Sequence, residues 1–237
     1  MIARDAADTI PSVPNRHCRV LTLVTLTCMT AAPIGCGGGA NFELPSHHAR
    51  RSSARVDRTQ LTRGGIGIPA DAPFNIAHPN SSNDGGGQAA ASAEPDGRAS
   101  CRAAVAGAGS ATAEFLLGHK FDIGSGDGLD VLIQIDAAGT YRHSAAGEQT
   151  PEAAAELWAF VKDTNGVMLR REALFAGTGD VAERSFQQIV QFEIKLGGDV
   201  GYYVMLVGRA TATGIEDCRA EAELSLRSAS LSMRPRP

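Results

Sequence analysis

Along residues 101–237, apolar and polar positions alternate with a period of two, and the alternation recurs from segment to segment. Cys101, Ala103, Val105, Ala111, Ala113, Phe115 and Leu117 share one face of the first segment, while Arg102, Ser110, Thr112 and Glu114 share the other. Leu129, Val131, Ile133 and Ile135 alternate with Asp130 and Gln134, and Phe186, Val190, Phe192, Ile194 and Leu196 with Gln187, Gln191, Glu193 and Lys195. In the last segment Cys218, Ala220, Ala222, Leu224 and Leu226 oppose Arg219, Glu221, Glu223, Ser225 and Arg227. Successive side chains of a strand project to opposite faces, so one dry and one wet face predict antiparallel strands on a shared core.

Turn residues fall between these runs. Asp127-Gly128, Gly197-Gly198-Asp199 and Thr213-Gly214 separate apolar stretches, and Asp163-Thr164-Asn165-Gly166 predicts a hairpin with Gly166 at positive φ. Thr150-Pro151-Glu152 and the apolar run that follows read either as a capped helix or as a strand. The strand is preferred, because the Asn-Gly turn joins two β-compatible runs of similar length. About eight strands with short connections predict an all-β fold, an antiparallel two-sheet β-sandwich with a jelly-roll as one variant.

Residues 36–100 have a different character. Ser52-Ser53, Gly64-Gly65, Ser81-Ser82, Gly85-Gly86-Gly87 and the alanines around Ser92 show no period, and prolines recur among them. Such a composition cannot offset its ordering entropy by burial and is read as a disordered linker, with a few aliphatics in residues 60–74 as its one docking element. Arg50, Arg51, Arg55, Arg58 and Arg63 make it locally basic, either as solvated linker or as contacts to anionic head groups.

Before this linker, Arg19 precedes an apolar run over residues 20–32 that ends in Pro33-Ile34-Gly35-Cys36. As a helix the run reaches about 20 Å, whereas a spanning helix needs about 20 residues; an export-signal h-region fits better. The ending resembles the lipobox of bacterial secreted lipoproteins. That resemblance implies removal of residues 1–35, lipid attachment (palmitate included) at Cys36, and a membrane partner reached through the N-terminal lipid. It places the protein in the cell envelope, with the outer membrane or cell surface favoured because Gly37, not Asp, follows Cys36. Of five cysteines, Cys18 and Cys28 then leave with the signal, and Cys101 and Cys218 remain as an expected disulfide.

Charge and motifs narrow the chemistry. Residues 101–237 carry 13 basic and 18 acidic side chains, and an exported acidic domain excludes nucleic acid as its partner. No nucleophile elbow, metalloprotease helix or phosphate loop is present, and His119 and His143 stand alone, expected at the surface. Catalysis is therefore not expected, with an envelope hydrolase as the least favoured reading. No cofactor is implied apart from calcium: residues 126–132 resemble one nonapeptide of the calcium-binding β-roll, which gives Asp122, Asp127 and Asp130 as candidate ligands, with a plain acidic turn as the alternative. Trp158, Tyr202 and Tyr203 are candidates for stacking sugars, against core packing of the same rings. The leading expectation is a tethered structural or protein-interaction module; the alternative is glycan- or calcium-dependent binding.

Overall fold

The computed structural model describes residues 60–61, 67–123, 128–147, 151–178 and 181–236. Nine strands run through them: β1 Gln60–Leu61, β2 Ile76–Ala93, β3 Ala99–Ile123, β4 Leu129–Ala146, β5 Glu152–Asp163, β6 Met168–Thr178, β7 Val181–Leu196, β8 Gly201–Gly214 and β9 Arg219–Pro235. The order is β6-β5-β8-β3-β9-β4-β7, with β2 and β1 also paired to β3. Every pairing is antiparallel except the short β1 on β3. The all-β antiparallel reading holds, and residues 152–163 are strand.

β3 organises both layers. Its residues 109–122 pair with β8 and its residues 99–106 with β9. Between them Gly107 and Gly109 take φ of +85° and +156°, opposite a register shift between Gly85 and Gly87 of β2. A Cβ on Gly109 would lie 2.5 Å from the Asp84 carbonyl oxygen. Glycine is required where one strand passes from sheet to sheet. One layer is thus β6-β5-β8 with the C-terminal half of β3; the other is the N-terminal half with β9-β4-β7.

The core lies between them. Phe115, Leu117, Leu157, Val161 and Leu206 of the first layer and Ile133, Ile135, Leu224, Leu231 and Met233 of the second are fully buried in one cluster. Gly208 admits the Phe115 ring, which would stand 2.2 Å from a Cβ there. At the outer edges Tyr141 of β4, Phe175 of β6 and Phe186 of β7 stack at centroid distances of 4.5–6.1 Å, nearly closing the sheet. Rings at this junction shield edges that would otherwise template pairing with another chain.

Two expectations are corrected. The linker does not extend to residue 100: β2 pairs with β3 from Ile76–Gly118 to Ala93–Ala99. Ahead of it Ile68 exchanges two 2.8 Å backbone hydrogen bonds with Met233, Phe74 is buried, and the Asn75 amide brackets the Lys120 backbone. The folded domain therefore includes residues 60–61 and the described residues from 67 onward. β2 is an edge strand largely exposed on both faces, held by its backbone ladder, so it needs little alternation.

The second correction concerns the disulfide. Cys101 lies opposite Leu224, while the Cys218 carbonyl accepts from the Gly107 N–H. Their positions are thus about six residues apart along β3, roughly 20 Å at the strand rise. A bridge requires Cα atoms within about 7 Å. The two buried cysteines are not joined; each serves as a small residue on an alanine-rich inner face. Residues 1–59, with Cys36 and most of the arginine-rich stretch, lie outside the described residues. Among the described residues no helix is long and apolar enough to cross a membrane, which says nothing about strands.

Candidate functional site

The first layer is apolar on both faces. Leu157, Ala159 and Val161 of β5, Val204 and Leu206 of β8, and Phe115 and Leu117 of β3 point into the core. The alternate residues point outward, yet Leu116, Phe160, Met205 and Val207 are at most 4% exposed and lie outside the core cluster. Strand register makes them one contiguous floor: Phe160 faces Met205, and Val207 faces Leu116. Burying this much apolar area on an outward face requires that something pack on it or wall it in.

Aromatic and charged side chains surround the floor. Trp158 lies opposite Val207 on β5, half-buried, with its indole N–H donating to Glu156 at 3.2 Å. The Arg171 guanidinium stacks over its ring, 4.0 Å from the centroid. Tyr203 of β8 lies between its register partners Lys162 and Lys120, whose ammonium groups stand 5.7 and 5.5 Å from its ring centroid. These separations fall within cation–π range. Glu114 is paired with Arg209. Burial pushes the Lys162 ammonium below its ordinary pKa. By strand rise and spacing, Trp158 and Tyr203 are about 14 Å apart.

The sequence candidates are only partly brought together here. Trp158 and Tyr203 share the outward face. Tyr202, the adjacent residue, points inward and is buried; its hydroxyl accepts from the Gly197 N–H at 2.7 Å and donates to the Gly197 carbonyl at 3.2 Å. It pins the β7–β8 turn and is removed as a ligand candidate. Of the proposed calcium set, Asp122 is the penultimate residue of β3, opposite Gly201, and Asp130 the second of β4, opposite Lys195, while Asp127 lies outside the described residues. Among the described residues no three acidic, histidine or cysteine side chains cluster as metal ligands.

The histidines are a further correction, since both are buried. His119 is stacked on Phe74 at 5.3 Å and its Nε2 has no hydrogen-bond partner among the described residues; desolvation lowers its pKa from 6.5 to about 4. His143 is stacked on Tyr141. Lys120, Lys162, Arg171 and the apolar floor were not anticipated as site residues. The available signal was the unbroken apolar run at 202–207 (Tyr-Tyr-Val-Met-Leu-Val), which implies a strand occupied on both faces.

No family model matches this chain, and no curated protein matches it in sequence. Among solved structures it is similar to the family 11 carbohydrate-binding module from Clostridium thermocellum in complex with a β-1,3-1,4-mixed-linked tetrasaccharide, at 15% identity and a TM-score of 0.25 over 62% of this chain and 87% of that one. It is also similar to the CBM22-1 xylan-binding domain of Paenibacillus barcinonensis Xyn10C, at 12% identity and a TM-score of 0.25 over 70% and 97% of the two chains. A third likeness is to the enzymatically active domain of bacteriophage CBA120 tailspike protein 4, at 11% identity and a TM-score of 0.23 over 63% of this chain and 19% of that one. Likenesses this slight carry no conclusion about ligand or activity, and the fold assignment rests on this chain's own strand pairing.

Proposed function

We propose that this protein is a lipid-tethered, non-catalytic saccharide-binding module of the bacterial cell envelope, with the outward face of β5 and β8 as its ligand platform. One observation carries the ligand reading: Trp158 and Tyr203 flank a buried apolar floor on a face that is not part of the core. Sugar rings present apolar C–H faces edged by hydroxyls. Such a ligand suits flat aromatic rings set among polar side chains, as drug-sized ligands suit apolar pockets with a few placed polar groups. The tether rests on the signal-like segment ending at Cys36.

The test uses the chain's single tryptophan, which makes intrinsic fluorescence a reporter of this face alone. Titration with envelope and capsular oligosaccharides should shift the Trp158 emission saturably, and Tyr203→Ala should weaken the response. An emission unmoved across the panel, with no retention on immobilised polysaccharides, overturns the saccharide reading. Intact mass from native membranes tests the tether: the mature product should begin at Cys36 and carry acyl chains.

A second reading, a protein-interaction module, is favoured by the β5–β6 hairpin. Val167, Met168 and Leu169 are 55%, 46% and 40% exposed there, at the start of edge strand β6, the end away from the shielded Phe175–Phe186 junction. Charged substitutions at Met168 and Leu169 that abolish capture of an envelope protein, with saccharide binding absent, would decide for it.

A further inference from the structure

We infer that the ligand of the β5–β8 face is an acidic saccharide, a linear polymer bearing carboxylates; this rests on the saccharide reading above. Each half-buried aromatic ring of the platform carries a cation. Arg171 covers Trp158 at 4.0 Å, and Lys120 stands 5.5 Å from Tyr203 with Lys162 at 5.7 Å. Of the carboxylates on the same face, Glu114 pairs with Arg209 and Glu156 accepts from the Trp158 indole, while Asp122 and Glu152 stand at its two ends. Among the described residues neither Lys120 nor Arg171 forms an ion pair, although both are exposed. Residues 101–237 are net acidic, so this cationic pair runs against the charge of its own domain.

The Trp158–Arg171 stack supplies selectivity. A neutral sugar reaching that ring must displace the guanidinium and forfeit the cation–π contact without recompense. A uronate draws the guanidinium onto its own carboxylate as its ring takes the indole face, replacing one favourable contact with a charge-assisted one. Specificity then arises from a penalty on the wrong ligand as much as from attraction to the right one. The span of about 14 Å between Trp158 and Tyr203 lets separate units of one chain meet Arg171 at one end and Lys120 at the other.

The experiment is affinity electrophoresis of the full chain at pH 7 in gels containing polygalacturonate, alginate or hyaluronate, or their neutral counterparts: methyl-esterified polygalacturonate, xylan and mixed-linked β-glucan. At least one acidic polymer should retard the protein at least tenfold more strongly than any neutral one, with retardation falling as salt is raised. The double variant Lys120→Gln/Arg171→Gln should lose most of it while its urea midpoint remains native-like. Retardation by acidic polymer that survives in this variant overturns the inference and assigns the effect to the arginine-rich segment at residues 50–63. Equal or stronger retardation by a neutral polymer overturns the charge inference but leaves the saccharide module standing. Retention on no polymer of either kind overturns both.

Discussion

His119 makes the fold sensitive to pH in a way that can be worked through. It projects from the inner face of β3, 4% exposed and stacked on Phe74, and its Nε2 accepts nothing among the described residues. Desolvation penalises the imidazolium and lowers the pKa from 6.5 to about 4. Above pH 6.5 the ring is neutral in both folded and unfolded chains and costs nothing. As pH falls below 6.5 the unfolded chain takes up a proton that the native ring refuses until about pH 4. The unfolded state thus gains, and stability declines across that window by up to about 1.4 kcal/mol per pH unit, roughly 3 kcal/mol in all, levelling below it. Carboxylates titrate in the lower part of the same range, so the perturbation has to isolate the ring. His119→Phe does so, placing an apolar ring against Phe74 with no proton to gain. Urea unfolding at pH 7, 6, 5 and 4 should show the two proteins within about 1.5 kcal/mol of each other at pH 7. The variant should then gain on the parent by about 3 kcal/mol by pH 4. Curves that stay parallel from pH 7 to pH 4 would refute the buried neutral imidazole.

Other consequences are as direct. Tyr202→Phe removes both hydroxyl bonds to Gly197 and should cost about 1–2 kcal/mol in urea unfolding without changing saccharide retention. Gly208→Ala drives a methyl group into the Phe115 ring and should destabilise by about 1–3 kcal/mol, with partial recovery when combined with Phe115→Leu. Peptide mapping without reduction should recover Cys101 and Cys218 on separate peptides, and a linked pair would contradict the β3–β9 register. Because burial pushes the Cys101 thiol up, native protein should resist alkylation there until it unfolds.

The sandwich was legible wherever one strand face met water and the other did not, as along Cys218 to Arg227, where every second residue is buried. Legibility failed where that contrast disappears. β2 is wet on both faces over much of its length, so its backbone ladder leaves little trace in side-chain pattern, and only the small inward alanines Ala89, Ala91 and Ala93 repeat. Residues 101–117 were legible as one segment, but nothing in the alternation marked the glycines at 107 and 109 as the point where a strand of 25 residues bends. The cysteines and histidines misled for a shared reason. Each sits at an inward position, where size decides what is accepted, whereas the chemistry of the side chain suggested pairing or exposure.

The outward face of β5 and β8 shows where a one-dimensional reading stops. Adjacent tyrosines at 202 and 203 must point opposite ways, but nothing in their order says which one is dry; pairing with Asp163 and Lys162 of β5 settles it. Arg171 reaches Trp158 because a bulge between Leu157 and Trp158 shifts β6 by one residue, setting Ala173 opposite the tryptophan and Arg171 opposite Phe160. A one-residue slip would turn the guanidinium to the other face, away from the indole. Core packing, the alternative to sugar stacking for these rings, holds for Tyr202, and Phe160 and Met205 on the outward face are buried as well. The same burial is what makes the face a floor. A wet outward face would hold its cations in bulk water, where charge counts for little. Of the cations around this dry apolar patch, Lys162 is buried and acts at lower effective dielectric, so a carboxylate brought to it would be held more strongly than by the exposed Lys120 or Arg171.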